Sequence, residues 1–283
     1  MSRVLFITGA GRGMGADFAR AALDAGHRVV ATGRDPERVE KALGGPRPDL
    51  LAARLDVTSP DEAAAAMAAG TSKFGRIDVL INNAGVSYLG YFEELSPEQV
   101  RAQLETNLIG PMNVTRAVLP VMREQRRGHI LTVSSGAGLA GFEYAAAYCA
   151  SKFGLEGWME ALRHEVAPFG IHATIIEPGF FRTELLGENS THWPDREVAD
   201  YAERDAAQRV WWTEQDGAQP GDPAKLAAAL LKIIDLERPP LRFMAGADVL
   251  ALAEQKIADL RAQTDAYRGL SASLAYRATP DAA

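Results

Sequence analysis

Short apolar runs alternate along the chain with stretches whose apolar residues recur at helical spacing. The runs are R-V-L-F-I-T (3–8), R-V-V-A-T (28–32), L-A-A-R-L-D-V (51–57), D-V-L-I-N-N (78–83), H-I-L-T-V-S (129–134) and H-A-T-I-I-E (172–177), with L-R-F-M-A (241–245) as a seventh. Helical spacing marks Ala16 to Ala25, Pro60 to Phe74, Glu98 to Arg126 and Tyr148 to Phe169. Runs that are apolar throughout leave no face for water, so they predict a parallel sheet covered by helices on both sides. The alternation holds to about residue 183 without a repeat or a low-complexity linker, which predicts one domain over 1–283.

Residues 184–222 break the rhythm and hold Trp193, Trp211 and Trp212. A long insertion with such aromatic content predicts an ordered lid over a binding site. Equally, the three tryptophans could simply anchor that lid on the core. From Asp248 to Ala266 a last amphipathic helix is expected, with Leu252, Ile257 and Leu260 among its apolar positions, within a C-terminal helix and tail over 248–283 that frays after Tyr276.

Composition narrows the class. The chain has 283 residues, 47% hydrophobic and 24% charged, which suits a large globular core. Its net charge of −7 argues against nucleic acid as a partner. The single cysteine, Cys149, excludes an internal disulfide and reads as a small packing residue, and the five scattered histidines predict no metal site. No apolar stretch approaches the ~20 residues needed to span a bilayer, and Val4 to Ile7 is too short for a signal core, so a cytoplasmic protein is expected.

The first run leads directly into T-G-A-G-R-G-M-G (8–15) and then a helix. Gly9, Gly13 and Gly15 allow a tight turn and close approach of a pyrophosphate, which the helix N-terminus would hold. The second run ends A-T-G-R-D-P-E-R. An acidic residue there would accept a ribose 2′-hydroxyl, whereas an arginine would suit a 2′-phosphate. The acidic place falls on Gly33, with Arg34 next; Asp35 is the rival, but Asp-Pro-Glu reads as a helix cap. With Arg12 in the glycine loop as a second cation, the pattern favours NADP(H) over NAD(H).

Residues 146–152 read A-A-Y-C-A-S-K and place Tyr148 and Lys152 one helical turn apart on one face. A phenol titrates near 10 in water, and an adjacent ammonium favours its ionised form. Such a pair could exchange a proton with a substrate oxygen, or be a half-buried tyrosine beside a surface lysine.

The ordered set T-G-x-x-x-G-x-G, N-N-A-G, Ser, Y-x-x-x-K and P-G resembles the short-chain dehydrogenase/reductase family, closely over about residues 3–183 and loosely beyond. Its compact NADP-dependent, 17β-hydroxysteroid-dehydrogenase-like group is the most similar. The resemblance implies a single Rossmann-like, doubly wound domain of about seven strands. It implies Tyr148 as catalytic acid/base, Lys152 as its pKa-lowering and ribose-binding partner, and Ser135 (with Ser134 as second candidate) as hydrogen-bond donor to the substrate oxygen. It implies Asn107 as part of a water-borne proton relay. Thr8 and Met14 would join the glycine loop at the cofactor. Asp56 and Val57 would contact adenine, Asn83, Ala84 and Gly85 would line the cofactor turn, and Pro178, Gly179, Phe181 and Thr183 would hold the nicotinamide. Phe181 departs from the smaller aliphatic usual there. Arg182 and Glu184 read as solvated.

The expected reaction is hydride transfer between NADP(H) and a carbonyl or alcohol. If Trp193, Trp211 and Trp212 line the pocket, the substrate is apolar or aromatic. A homodimer or homotetramer is implied, through the helices at 98–126 and 148–169. Two rivals share the fold. A halohydrin-dehalogenase-type lyase would replace Lys152 by arginine and lose the glycines, and a non-catalytic cofactor sensor would tolerate loss of Tyr148 or Lys152. Neither departure is present.

Overall fold

The computed structural model describes residues 2–187 and 190–276. The expected tail beyond residue 276 lies outside the described residues. The strands are β1 (Val4–Ile7), β2 (Arg28–Gly33), β3 (Leu50–Arg54), β4 (Val79–Asn82), β5 (Ser87–Tyr88), β6 (Gly128–Val133), β7 (Ile171–Pro178), β8 (Thr191–His192) and β9 (Arg242–Ala245). The helices are α1 (Gly13–Asp24), α2 (Pro36–Ala42), α3 (Pro60–Phe74), α4 (Pro97–Leu104), α5 (Gly110–Gln125), α6 (Ala146–Val166), α7 (Ala202–Gln215), α8 (Pro223–Asp235) and α9 (Ala247–Ala272). Seven strands form one sheet in the order β3-β2-β1-β4-β6-β7-β9, and every pair in it is parallel.

Alternate residues of each strand feed opposite cores, because successive side chains point to opposite faces of a sheet. Leu5, Ile7, Val29 and Ala31 enter a core with residues of α1 and α8, while Val4, Phe6, Val30 and Leu80 enter one with residues of α3, α5 and α6. Both faces are therefore dry, as the continuous apolar runs require. The strand order reverses between β1 and β4. The C-terminal ends of strands at such a switch point leave a crevice where ligands bind.

Three expectations needed correction. The third strand ends at Arg54, so Asp56 and Val57 lie in the loop beyond it. The helix expected at 98–126 is divided by a π-turn at Glu105–Ile109. The insertion at 184–222 contains α7 and the short strand β8, which pairs with β5. Helices α2 and α8 lie between the expected elements, and α9 runs past residue 266 to Ala272.

Among the described residues no helix is long and apolar enough to cross a membrane. No group of His, Cys, Asp and Glu among them could hold a metal ion.

Candidate active site

Two glycines shape the floor of the crevice. Gly9 has φ +67° and lies against the 83–85 turn; a Cβ there would sit 2.9 Å from Ala84 Cα. At Gly15, in the first turn of α1, a Cβ would fall 2.3 Å from Gly9 O. Helix and loop thus meet at a distance only glycine permits. The Thr8 hydroxyl accepts from Asn83 N (2.9 Å) and Ala84 N (3.0 Å), tying β1 to the turn after β4. Asn83 in return donates its side-chain amide to Thr8 O at 3.0 Å. The result is a cleft of about 450 Å³ with the N-terminus of α1 at its edge.

Most of the expected cofactor residues border this cleft: Gly9, Arg12, Gly13, Met14, Arg34, Asp56, Val57, Asn83, Ala84, Gly85, Tyr148, Lys152 and Thr183. Thr8 and Gly15 support its floor from behind. Pro178 and Gly179 continue β7, with Gly179 N donating to Ala245 O at 2.9 Å. Phe181 packs on the core shared by α1 and α8 and does not border the cleft. A larger side chain at that place therefore fills core beside the site.

The second strand delivers a cationic cluster. Arg34 and Arg38 border the cleft with Arg12. Burial, with the like charges of Arg38 and Arg34, holds the Arg12 pKa below its ordinary value against the opposing pull of Glu184. Arg12 also donates to Ser190 Oγ at 2.7 Å, which ties the glycine loop to the lid. Asp35 caps α2: its Oδ1 accepts from Glu37 N and Arg38 N, each at 3.1 Å. Burial raises the Asp56 pKa, but two hydrogen bonds from Thr58 and the charge of Arg34 outweigh it, leaving the carboxyl below its ordinary range. Arg38 and Ser190 were missed from sequence. Arg38 was legible one helical turn after Arg34; Ser190 carried no local signal. Arg182 is engaged, donating to Gln219 O at 3.3 Å, whereas the Glu184 side chain is 62% exposed.

On α6, Lys152 Nζ lies 5.6 Å from the centre of the Tyr148 ring. It donates to Val133 O at 2.8 Å, and the side chain is buried. Burial pushes Lys152 down to about 8, partly countered by Glu156. Burial pushes the Tyr148 phenol up to about 12, and the Ser135 hydroxyl, hydrogen-bonded to it, pulls the other way. The expected lowering by Lys152 is therefore not the dominant effect in the protein by itself, since desolvation outweighs an ammonium that is aimed at a carbonyl. The two serines differ in place: Ser134 borders the cleft with its buried hydroxyl beside Gly138 and Glu156, whereas Ser135 Oγ accepts from Ala137 N at 3.2 Å and lies by Tyr148.

Asn107 lies inside the π-turn, fully buried. It donates to Val86 O and accepts from Val86 N, both at 2.9 Å. π-turns inside helices are often found at functional sites. Behind Lys152, Arg242 of β9 pairs with Glu156 and Glu177 and, at 2.6 Å, with Glu160. Burial and the neighbouring Glu156 charge push Glu177 up to about 7.

The lid tryptophans divide. Trp193 and Trp212 pack with Tyr148 onto an aromatic cluster built on Leu89, Tyr91, Tyr144 and Cys149. Trp211 is 44% exposed, edge-on to Phe180. Tyr144 was not foreseen. It has φ +69°, a left-handed conformation costly for a bulky residue, and its hydroxyl donates to Asp205 of α7. That strained residue couples the lid to the loop that opens α6.

Comparison with known proteins agrees with this geometry. A family model described as short chain dehydrogenase matches residues 3–193. "Oxidoreductase BOA17" of Botryotinia fuckeliana is 37% identical over 96% of this chain and 98% of its own length. The "3-ketodihydrosphingosine reductase" of Bacteroides thetaiotaomicron is 37% identical over 86% of this chain and 88% of its own. A short-chain dehydrogenase structure from Streptomyces avermitilis superposes with a TM-score of 0.87 at 36% identity, covering 98% of this chain and 99% of that one. A Burkholderia phymatum structure holding NAD superposes with a TM-score of 0.81 at 24% identity, covering 93% and 95% of the two chains. A metagenomic short-chain oxidoreductase holding NADP gives 0.66 at 27% identity, covering 86% and 96%. With a glycine-floored cleft bordered by Tyr148 and Lys152, and with these matches over most of its length, the chain belongs to the short-chain dehydrogenase family of oxidoreductases.

Proposed function

We propose that the protein is an NADP(H)-dependent carbonyl reductase or alcohol dehydrogenase, with Tyr148 as its general acid/base. The observation that carries this reading is the convergence of two groups on one cleft: Tyr148, with Ser135 beside it, and Lys152 on one side, and Arg12, Arg34 and Arg38 on the other. The glycine cradle fits a dinucleotide, since Gly9, Gly11 and Gly13 border the cleft without side chains and the N-terminus of α1 lies at its edge. When bound, the nicotinamide supplies the hydride.

The residues would then act as follows. Ser135 donates a hydrogen bond to the carbonyl oxygen, where negative charge develops. Tyr148 gives that oxygen its proton, which a phenol held at high pKa retains until then. Lys152 stabilises the resulting phenolate and holds the ribose. Asn107, fixed by Val86, marks the place of a water relay that restores the proton. Lys152 and the complete glycine cradle disfavour the lyase reading, and the intact Tyr148 and Lys152 disfavour the sensor.

Trp193 and Trp212 do not border the cleft but pack on the same cluster as Tyr148, and that apolar surround suits a bulky apolar or aromatic ketone. The relative named as a 3-ketodihydrosphingosine reductase is in keeping with a ketone. The unpaired Cys149 suits the reducing cytoplasm. A homodimer or homotetramer would use α5 and α6, where Phe153 is 42% exposed.

Parallel fluorescence titrations with NADPH and NADH test the reading. NADPH should bind more tightly, and Arg34→Ala with Arg38→Ala should weaken NADPH by roughly tenfold to a hundredfold, as expected for loss of charge-assisted contacts. NADH affinity should stay within about twofold. Tighter NADH binding would assign the ribose to Asp35, and binding of neither nucleotide would return the lyase reading.

A further inference from the structure

Helix α9 leaves the body of the molecule soon after it begins. Val249 and Ala253 are buried, and Leu252 reaches the Gly136 backbone. From Ile257 to Tyr276 every residue is exposed. The exposed part of α9 extends about 24 Å at 1.5 Å per residue. A solitary helix of that length is marginal in water and normally draws its stability from a partner.

The exposed apolar residues of α9 are not scattered. Leu250, Ile257, Leu260, Tyr267 and Leu270 are each between 50% and 65% exposed. Leu250, Ile257 and Thr264 recur every seven residues, as do Leu260 and Tyr267 three residues out of phase, and Leu270 borders them. These are the a and d positions of a heptad, the narrow seam of a coiled coil rather than the broad stripe of a helix docked on its own domain.

Charge selects what covers the seam. Helix α9 carries Asp248, Glu254, Asp259 and Asp265 against Lys256, Arg261 and Arg268, and the whole chain is at −7. A helix that lies on lipid has a polar face rich in lysine and arginine, and this one is balanced. The residues flanking the seam are Glu254, Arg261 and Arg268 on one edge and Lys256, Gln263 and Leu270 on the other. Parallel pairing with a second copy would set Lys256 against the second copy's Arg261, two like charges. Antiparallel pairing with Ile257 opposite the second copy's Leu260 sets Glu254 of each copy against Arg261 of the other. A two-fold axis makes that contact twice.

We propose that α9 is a self-association element that pairs antiparallel with α9 of a second copy of this chain. The contact is separate from the α5 and α6 faces and does not depend on the reading of the catalytic site.

Sedimentation equilibrium of the full chain tests it, with far-UV circular dichroism to confirm folding. Ile257→Glu with Leu260→Glu should remove one association step, whether tetramer to dimer or dimer to monomer. Glu254→Arg should weaken that step by about tenfold or more, and adding Arg261→Glu should restore it. Equal masses for wild type and the Ile257/Leu260 variant would overturn the proposal. Failure of Arg261→Glu to restore the Glu254→Arg loss would overturn the antiparallel register. Co-sedimentation of wild type with phosphatidylcholine–phosphatidylserine vesicles, lost in the Ile257/Leu260 variant with no change in mass, would overturn it in favour of lipid.

Discussion

Tyr148 and Lys152 are both held away from their ordinary titration ranges by the same cause, burial, acting in opposite directions on an acid and a base. Replacing Tyr148 by phenylalanine should keep NADPH affinity and lower turnover by roughly a hundredfold to ten-thousandfold, the usual worth of a positioned proton donor. Stopped-flow turnover beside a binding titration checks this; wild-type turnover in Tyr148→Phe would sink the assignment. Lys152, depressed to about 8, is charged below that pH and neutral above it. Carbonyl reduction by the free enzyme should therefore fall as pH rises through about 8. In Lys152→Arg the fall should move to higher pH, because a guanidinium keeps its charge. A fall that stays in place would belong to another group.

At the scale of elements, the informative contact joins α6, β7 and β9. Arg242 reaches from the last strand to Glu156 and Glu160 on α6 and to Glu177 near the end of β7. Glu177 is fully buried and its pKa is pushed up to about 7, first by burial and then by Glu156. A carboxyl whose folded pKa is raised binds its proton more tightly in the native state. Its contribution to stability is complete below the ordinary carboxylate pKa and is lost as pH rises through about 7. Glu177→Gln should thus flatten the pH dependence of stability between about 5 and 7, and raise the denaturant midpoint at pH 8 relative to wild type. An unchanged slope would mean that Arg242 keeps Glu177 ionised throughout.

The elements themselves were largely legible. Parallel strands buried on both faces must be apolar at every position, and that signal located the seven strands of the main sheet. Asp35 was read as a cap from Asp-Pro-Glu, and the backbone contacts it makes are those of a cap. The π-turn at Asn107 was hidden, because one extra residue in a helical turn leaves no mark in apolar spacing. The two-residue strand β8 was hidden too, since its pairing with β5 spans about a hundred residues of chain.

At the scale of the whole molecule, the crevice is an assembly of distant segments, with the glycine loop, the ends of β2 and β4, the start of α6 and the lid all bordering it. A nucleotide bound there should favour the folded state over the unfolded chain. At a hundred times its dissociation constant it should add about 2.7 kcal/mol. Thermal melts with and without saturating NADPH should differ by several degrees; coincident melts would show that the cleft does not take the nucleotide.

The sequence by itself determined the alternation of strands and helices, the dinucleotide turn and the Tyr148–Lys152 pair, because each rests on residues close together in the chain. Tertiary structure decided what depends on distant neighbours. It set Ser135 beside Tyr148 and Ser134 at the border of the cleft beside Glu156, since the two serines are distinguished only by what surrounds them. It packed Trp193 and Trp212 onto the cluster of Leu89, Tyr91 and Tyr144, left Trp211 at the surface, and brought none of the three to the border of the cleft. It also reversed the direction in which the Tyr148 phenol is shifted, because desolvation is a property of packing and not of spacing.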